Sequence, residues 1–538
     1  MSDQPLPSRR QLLLVSAAAL LTAGCEGRAS APSSAPQSPS GPVPSSGGPV
    51  QSSATNAAGP PDWPSLASGL KGTLTLPDSS AENADRYNSL RLTENPRFDA
   101  AMPLAVLSAA AEEDVAAAVQ FAVRERVPLA VRSGGHGYRG YSAGGAPGTG
   151  IAPSLVLDTR PLAGITVAAD GTATIGAGAS LVSVYAALAN AGRALAAGSC
   201  PTVGITGLAL GGGVGVLTRA YGLTCDALTG VRLVTADGRI RTADANNEPD
   251  LFWACRGGGG GLLGVVTSLS FATQPAPVIS TVYLQWDYAV AAAVIQAWQN
   301  WAPQADTRLW STLKLLGGSN HAEPLVQLSG TWTGPAAELD AQFAPLHAAV
   351  GSYPLLTRPV LNRSYLDVML GYAGCASTPV DQCHTGTGGA LQRGAFSGTS
   401  HVPYRMLDAG GVAALLARVQ AASAVPGLVE GGVSLDALGG AVAKAAPDAT
   451  AFVHRQALAT VQYTATYASG VDPAPFDAYV RGSRAAMVPS WGNGAYVNYA
   501  DASIPDSAAA YFGVNAGRLK EIKATVDPDN LFNLPQGY

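Results

Sequence analysis

The chain carries RSGGHGY at residues 132–138 and GSCPTVGITGLALGGGVG at residues 198–215. The apolar run that ends at Val131 predicts a short buried strand, and the glycines after it allow successive backbone N–H groups to turn toward one point. Such a nest of N–H groups binds phosphate oxygens. His136 lies at the mouth of the first loop, and Pro201 biases Cys200 toward extended backbone. The two glycine-rich loops therefore present a histidine and a cysteine.

These residues resemble the berberine-bridge-enzyme-like oxidases, the covalent-flavin branch of the vanillyl-alcohol-oxidase (PCMH-type) FAD oxidoreductases. The resemblance implies FAD attached twice, through His136 to the flavin 8α-methyl and through Cys200 to flavin C6. It continues in YGLTCD at 221–226, DLFWACRGGG at 250–259 and DPDNLF at 527–532. The resemblance covers roughly residues 90–275 and 490–538, and the middle of the chain poorly. A lone histidine or cysteine in such a loop would more often be a hydrogen-bonding or buried residue.

The same resemblance implies a set of residues that contact the cofactor. They are Arg132, Ser133, Gly134, Gly135, Gly137, Val203, Gly204, Gly207, Gly211, Gly212, Gly213, Gly215 and Asn498. In the resembling family the position of Val203 lies over the flavin near C4a, where valine leaves a small space for dioxygen. Dioxygen is accordingly the expected electron acceptor, the alternative being that Val203 is an ordinary packing residue.

Residues 494–501, GAYVNYAD, resemble the family's Y-x-N-Y segment, which passes the flavin ring in the substrate cavity. This resemblance implies Tyr499 as the catalytic base, with Tyr496 as the alternative. A phenol with a pKa near 10 is a poor base at neutral pH unless positive charge or hydrogen bonding lowers that pKa. Without the resemblance, two core tyrosines on a strand would be the simpler interpretation.

The N-terminal residues 1–25 predict a bacterial twin-arginine export signal, because Arg9 and Arg10 precede an apolar run. The run is about half the roughly 20 residues that span a bilayer. LTAGC at 21–25 resembles a lipobox and predicts lipidation of Cys25, although Thr22 departs from the usual large apolar residue. Residues 26–64, mostly Ser, Pro, Ala and Gly, predict a disordered tether. We therefore expect an exported, extracytoplasmic protein, which a lipid on Cys25 would attach to the cell membrane.

Helices and strands are mixed in irregular order along the rest of the chain, which predicts an α+β fold rather than a doubly wound sheet. We expect a two-part PCMH-type FAD-binding domain at residues 65–275 and a substrate domain at 276–490. Residues 491–538 would return to the FAD-binding domain. The substrate domain is predicted as an antiparallel sheet backed by helices, with strands at Ile279–Trp286, Leu325–Trp332 and Ala459–Tyr467.

One motif is misleading. Residues 259–264 satisfy the G-x-G-x-x-G pattern of dinucleotide-binding proteins. The following residues, Val265–Phe271, predict a strand, whereas that fingerprint must open a helix. We therefore reject a nicotinamide site.

The six cysteines include Cys375 and Cys383 in one loop rich in Gly, Ser, Thr and Pro. Because export permits disulfides, a local bridge between them is predicted, with Cys225 and Cys255 as buried thiols. The other histidines show no spacing that indicates a metal site. The charge balance of 32 Lys+Arg against 37 Asp+Glu argues against nucleic acid as a partner.

Taken together, the sequence predicts an exported FAD-dependent oxidase that oxidises an alcohol, a sugar hydroxyl or a related C–H group. A hydride would pass to covalent flavin, with dioxygen as acceptor and hydrogen peroxide as product. The alternatives are an FAD-linked dehydrogenase with another acceptor and a non-catalytic surface protein stabilised by flavin. Sugars, polycyclic alcohols and alkaloids all remain open as the small-molecule substrate, and the oligomeric state is not predicted.

Overall fold

The computed structural model describes residues 60–77 and 80–538. The export signal, Cys25 and residues 26–59 of the tether lie outside these residues. Helices and sheets are mixed throughout the described chain, which confirms the α+β prediction. None of the helices in this part of the chain is long and apolar enough to cross a membrane.

The first sheet carries the RSGGHGY loop. Its strands are β1 (Thr73–Thr75), β2 (Ala105–Ser108), β3 (Leu129–Arg132) and β4 (Leu155–Asp158), in the order β1-β2-β4-β3. The carboxylate of Asp114 accepts hydrogen bonds from the N–H groups of Ala110 and Ala111 and so starts the helix Glu112–Glu125. That helix buries Val115 and Val119 in the core of this sheet. Strand β3 therefore ends at a fixed point, directly before the loop.

The second sheet is antiparallel and lies under the other glycine-rich segments. Its strands are β5 (Ile165–Val167), β6 (Thr172–Gly176), β8 (Leu228–Val234), β9 (Ile240–Asp244) and β10 (Val265–Ala272), in the order β5-β6-β10-β8-β9. Strands β7 (Arg193–Ala194) and β11 (Gln274–Pro275) form a separate pair. Because β10 begins directly after Gly264, the G-x-G-x-x-G motif opens a strand and not a helix, as predicted.

The third sheet forms the predicted antiparallel sheet of the middle region. Its strands are β12 (Ile279–Trp286), β13 (Leu309–Gly317), β14 (Leu325–Trp332), β15 (Leu356–Arg363), β16 (Ala395–His401), β17 (Glu430–Ala437) and β18 (Ala459–Tyr467). Their order is β15-β12-β14-β13-β17-β18-β16, antiparallel throughout. The strands predicted at β12, β14 and β18 have the predicted bounds.

The α-helices of the described chain, several with short 3-10 turns beside them, are Trp63–Ala67, Ala81–Arg91, Glu112–Glu125, Leu181–Asn190, Ile205–Leu210, Thr218–Tyr221, Pro249–Ala254, Ala291–Trp301, Leu339–Val350, Tyr365–Tyr372, Ala409–Gln420, Ala474–Trp491, Ser507–Phe512 and Ala516–Val526. Four of these helices share one core with Leu313, Leu315, Val433 and Leu435 of the third sheet. They are Ala291–Trp301, Leu339–Val350, Ala409–Gln420 and Ala474–Trp491. Since side chains alternate along a strand, the residues between these apolar ones face the opposite side of the sheet. The third sheet thus has one face covered by these four helices and an opposite face, called the free face below, that these four helices do not cover.

The C-terminal residues pack against the first half of the chain. Phe512 and Leu519 lie in the same core as Leu251 and Phe252. The guanidinium of Arg518 bonds to Asp250 at 2.7 Å and lies 4.1 Å from the ring centroid of Trp253.

A disulfide joins Cys375 to Cys383, with the Cα atoms 5.9 Å apart, and Cys225 and Cys255 are buried free thiols, as predicted.

Candidate active site

A cavity of about 400 Å³ lies between the two glycine-rich loops and the free face of the third sheet. This volume is within the range of about 300–1,000 Å³ that small-molecule and cofactor sites occupy. Most of the sequence-predicted site residues line it: Ser133, Gly134, Gly135, His136, Gly137, Cys200, Val203, Gly204, Gly207, Gly215, Asn498 and Tyr499. The fold therefore brings both loops and the C-terminal segment to one place.

The two loops meet backbone to backbone. A side chain at Gly134 would overlap the backbone of Gly204, and one at Gly204 would overlap Ser133. A Cβ at Gly137 or Gly207 would meet nothing within 4 Å, so the space beside these glycines belongs to the cavity. A cavity lined by glycine-rich loops suits a cofactor with phosphate groups such as FAD, because the backbone N–H groups of such loops can bind phosphate oxygens.

Four of the expected cofactor contacts lie behind the cavity wall. The buried guanidinium of Arg132 donates hydrogen bonds to the backbone carbonyls of Leu90, Arg91, Leu92 and Ser142, and Arg132 does not line the cavity. A side chain at Gly211 would overlap Asn498, and one at Gly213, which has φ +86°, would overlap Thr224. A side chain at Gly212, which has φ +120°, would likewise overlap Phe452. Arg132 thus fixes the first loop, and Gly211, Gly212 and Gly213 allow close packing, while their contact with the cofactor stays a prediction.

His136 has one ring nitrogen anchored. Its Nε2 lies 2.8 Å from Oγ1 of Thr202 and 3.8 Å from Oε2 of Glu94, while its Nδ1 has no hydrogen-bond partner among the residues that the structure describes. Burial lowers the pKa of His136 below its ordinary value, although Glu94 opposes that effect. The imidazole is therefore neutral at neutral pH, as a nucleophilic nitrogen must be.

The two candidate tyrosines have different surroundings. Tyr499 lines the cavity and its ring stacks on that of Tyr138, with centroids 5.2 Å apart and planes at 23°. The hydroxyl of Tyr496 is buried behind the wall, where it accepts hydrogen bonds from the N–H of Gly213 at 2.9 Å and from Nδ2 of Asn498 at 2.8 Å. Of the two, Tyr499 lines the cavity and Tyr496 does not.

The free face of the third sheet supplies polar residues that sequence reasoning missed. Cavity-lining side chains on it are Trp310, Thr312, Lys314, Ser329, Ser434, Asp436 and Gln462. Thr312 pairs with Asp436, and Lys314 with Ser434, across β13 and β17. An alternation of Val433 and Leu435 with polar neighbours could have revealed this wall, but the adjacent glycines disfavour a strand assignment.

The electrostatics of this wall differ from the sequence expectation. Burial, and then the charge of Asp436, raise the pKa of Tyr499 well above its ordinary value. Burial also raises the pKa of Asp436 and lowers the pKa of Lys314. The site therefore holds a tyrosine that keeps its proton and a carboxylate with increased basicity, rather than a tyrosine with a lowered pKa. No group of three or more metal-ligating side chains occurs in the described part of the chain.

Comparison with known proteins agrees with this geometry. Residues 103–244 match the family described as FAD binding domain, and residues 495–537 match the family described as berberine and berberine like. An uncharacterized FAD-linked oxidoreductase of Bacillus subtilis is 32% identical over 462 residues, which covers 84% of this chain and 94% of the relative. The chain belongs to the berberine-bridge-enzyme-like FAD-linked oxidoreductases.

Other members of this family act on oligosaccharides. The chitooligosaccharide oxidase of Gibberella zeae is 30% identical over 457 residues, 81% of this chain and 87% of that protein. A solved structure of the glucooligosaccharide oxidase of Acremonium strictum, described as carrying a 6-S-cysteinyl, 8α-N1-histidyl FAD, has a TM-score of 0.77 at 26% identity. That match covers 88% of this chain and 98% of the neighbour. This chain is thus an FAD-linked oxidoreductase of the type that includes both berberine-bridge-enzyme-like proteins and oligosaccharide oxidases.

Proposed function

We propose that the protein oxidises a hydroxyl group of a sugar or oligosaccharide, with dioxygen as acceptor and hydrogen peroxide as product. The observation that carries this proposal is the mixed character of the cavity wall. Aromatic rings of Trp310, Tyr372 and Phe396 lie beside the polar side chains of the third sheet. Sugars present apolar C–H faces to aromatic rings and hydroxyl groups to polar side chains, so both halves of the wall have a partner.

In this proposal the bound FAD supplies the hydride acceptor, and the chain supplies placement and proton transfer. Tyr499 takes the proton of the substrate hydroxyl, and Asp436, which faces the same cavity, accepts a proton in turn. Burial, and after it the charge of Asp436, raises the pKa of Tyr499, so a free phenolate beside that carboxylate is disfavoured. Coupled transfer through Tyr499 to Asp436 leaves both side chains neutral, so the single negative charge moves from Asp436 to the substrate oxygen. Lys314, whose charge lowers the pKa of Asp436 against the larger effect of burial, partly compensates that charge.

We also propose that FAD is attached through both His136 and Cys200, which line the same cavity. Support for a bond at Nδ1 of His136 comes from its anchored Nε2 and from the lack of a hydrogen-bond partner for Nδ1 within residues 60–77 and 80–538. The histidyl and cysteinyl links described for the Acremonium enzyme support the same assignment.

We also propose export through the twin-arginine route. That route carries folded proteins, so flavin could be bound before export. Its support is Arg9 and Arg10 before the apolar run. Cell fractionation tests the proposal, since replacement of both arginines by lysine should retain the protein in the cytoplasm. Release from the membrane by Cys25→Ser would identify the lipid anchor.

A substrate screen tests the proposed function directly. Purified protein should release hydrogen peroxide, and its flavin absorbance should bleach without oxygen, when chito-, cello- or xylo-oligosaccharides are added. Polycyclic alcohols at the same concentrations form the comparison set. Bleaching by the polycyclic alcohols alone would contradict the sugar assignment, and bleaching by no compound would favour the non-catalytic alternative.

Val203→Ile should slow reoxidation of the reduced flavin by about tenfold or more, because one extra methylene fills a space of the size that dioxygen needs in a close-packed site. Val203 lines the cavity. The measurement is rapid mixing of substrate-reduced enzyme with aerated buffer, with Val203→Ala as the control that should not be slowed. Sluggish reoxidation of the unmodified protein would instead indicate a dehydrogenase with another acceptor.

A further inference from the structure

A carboxylate lies beside the anchored nitrogen of His136. Oε2 of Glu94 is 3.8 Å from Nε2 of His136, and the two side chains are 19% and 23% exposed. The same carboxylate oxygen accepts a hydrogen bond from Oγ1 of Thr385 at 3.0 Å. Glu94 is therefore held between the histidine and a loop of the middle region, and it has no part in the substrate chemistry described above.

The backbone around Glu94 is fixed as well. Its N–H donates to the carbonyl of Gly135 at 3.2 Å, one residue before His136. On either side of Glu94, Nε of Arg393 donates to the carbonyl of Thr93 at 2.8 Å, and Nδ2 of Asn95 donates to the carbonyl of Phe396 at 2.9 Å. These bonds hold the carboxylate in one position relative to the imidazole, unlike a solvated surface glutamate.

We propose that Glu94 positions His136 and accepts its Nε2 proton during covalent attachment of FAD at Nδ1. This inference rests on the histidyl link proposed above. In the attachment step, a C–H bond of the flavin 8α-methyl breaks with loss of a proton, and a bond forms between Nδ1 and the 8α-carbon. The two electrons reduce the flavin ring and then pass to dioxygen, which takes up two protons and leaves as hydrogen peroxide.

The arrangement of the two groups at Nε2 explains why this step needs a carboxylate there. The carboxylate of Glu94 lies near Nε2 and favours the tautomer that carries its proton on that nitrogen, and the hydroxyl of Thr202 can accept a hydrogen bond from it. The lone pair of Nδ1 is then available for the bond to carbon. Bond formation makes the ring positive until the Nε2 proton leaves. Glu94 both stabilises that charge and receives the proton, whereas Thr202 and Thr385 are neutral and do neither.

The effect of Glu94 on the nucleophile itself has the opposite sign. Its negative charge raises the pKa of His136, so its removal would leave the imidazole more completely neutral. A slower attachment in a variant without the carboxylate would therefore not come from protonation of the nucleophile. The slower attachment would instead result from the loss of the carboxylate that accepts the Nε2 proton.

The experiment uses a Cys200→Ala background, so that the histidyl link alone can hold flavin covalently. Protein produced with little flavin is incubated with FAD in air, and covalent flavin is followed by fluorescence of the denatured band and by an intact mass increased by one FAD. Glu94→Gln in this background should couple FAD at least about tenfold more slowly, in line with loss of general acid–base assistance. Glu94→Asp, which keeps the charge, should be intermediate, and Thr385→Val, which keeps the whole carboxylate, should stay close to the parent.

Two further readouts separate this role from a structural one. Glu94→Gln should still bind FAD without a covalent bond, measured by gel filtration before denaturation. Its coupling rate should rise as the pH is raised, because solvent base replaces the missing carboxylate, and a misfolded loop would show no such recovery. Equal coupling rates in Glu94→Gln and its parent would overturn the role of Glu94 alone. Failure of the Cys200→Ala parent to keep covalent flavin would overturn the histidyl link and this inference with it.

Discussion

Tyr499→Phe is expected to slow reduction of the flavin by substrate by roughly 10²–10⁴-fold, the loss typical for removal of a general base. Phenylalanine keeps the ring that stacks on Tyr138 and removes only the hydroxyl that takes the substrate proton. Flavin content and fold should therefore be unchanged. Anaerobic stopped-flow measurement of flavin bleaching, with the best sugar of the screen, gives the rate constant.

Tyr496→Phe is the matched control. Its hydroxyl accepts two hydrogen bonds behind the cavity wall, so its loss leaves the N–H of Gly213 unpaired. We expect a lower free energy of unfolding by about 1–3 kcal/mol and a nearly normal rate of flavin reduction. Slow flavin reduction in Tyr496→Phe together with a normal rate in Tyr499→Phe would identify Tyr496 as the base.

The pH dependence of the same rate tests the part assigned to Asp436. Burial raises the pKa of this carboxyl above its ordinary value, so it becomes protonated at a higher pH than an exposed aspartate as the pH falls. Flavin reduction in the unmodified enzyme should decline on the acid side through that raised pKa. In Asp436→Asn the rate should be low and this acid limb should be absent. An unchanged acid limb in that variant would assign the titration to another group.

Simultaneous replacement of His136 and Cys200 by alanine is expected to change the flavin from wholly covalent to wholly dissociable. Acid precipitation of the unmodified protein should leave the pellet yellow, because both proposed links hold the cofactor. Each single variant should also keep a yellow pellet, since one link remains. The double variant should release all of its FAD into the supernatant, where its absorbance gives the amount.

The spectra of the single variants provide the control for this result. Loss of the C6 thioether in Cys200→Ala should change the flavin absorbance differently from loss of the 8α link in His136→Ala, because the two substituents act on different positions of the ring. Release of FAD from the unmodified protein on precipitation would contradict both links. Complete release from either single variant would show that only the replaced residue is a link.

Local sequence determined the parts of this protein whose conformation depends on neighbouring residues. The glycines of residues 132–138 could be recognised as a backbone nest because they follow a short apolar run, and β12, β14 and β18 could be predicted from residues that favour strands. The G-x-G-x-x-G motif could be rejected because the residues directly after it favour a strand. In each case the physical cause acts within a few residues along the chain.

Tertiary structure alone decided which side chains meet across the cavity. Asp436 and Lys314 reach it because β17 pairs with β13 in an antiparallel sheet whose strand order does not follow the sequence. Glu94 meets His136 because its backbone pairs with Gly135. Tyr499 lines the cavity, whereas the hydroxyl of Tyr496 bonds to the N–H of Gly213 behind the cavity wall. Local patterns specify which face of a strand is apolar, but which distant strand lies beside it depends on how the cores of the whole chain are filled.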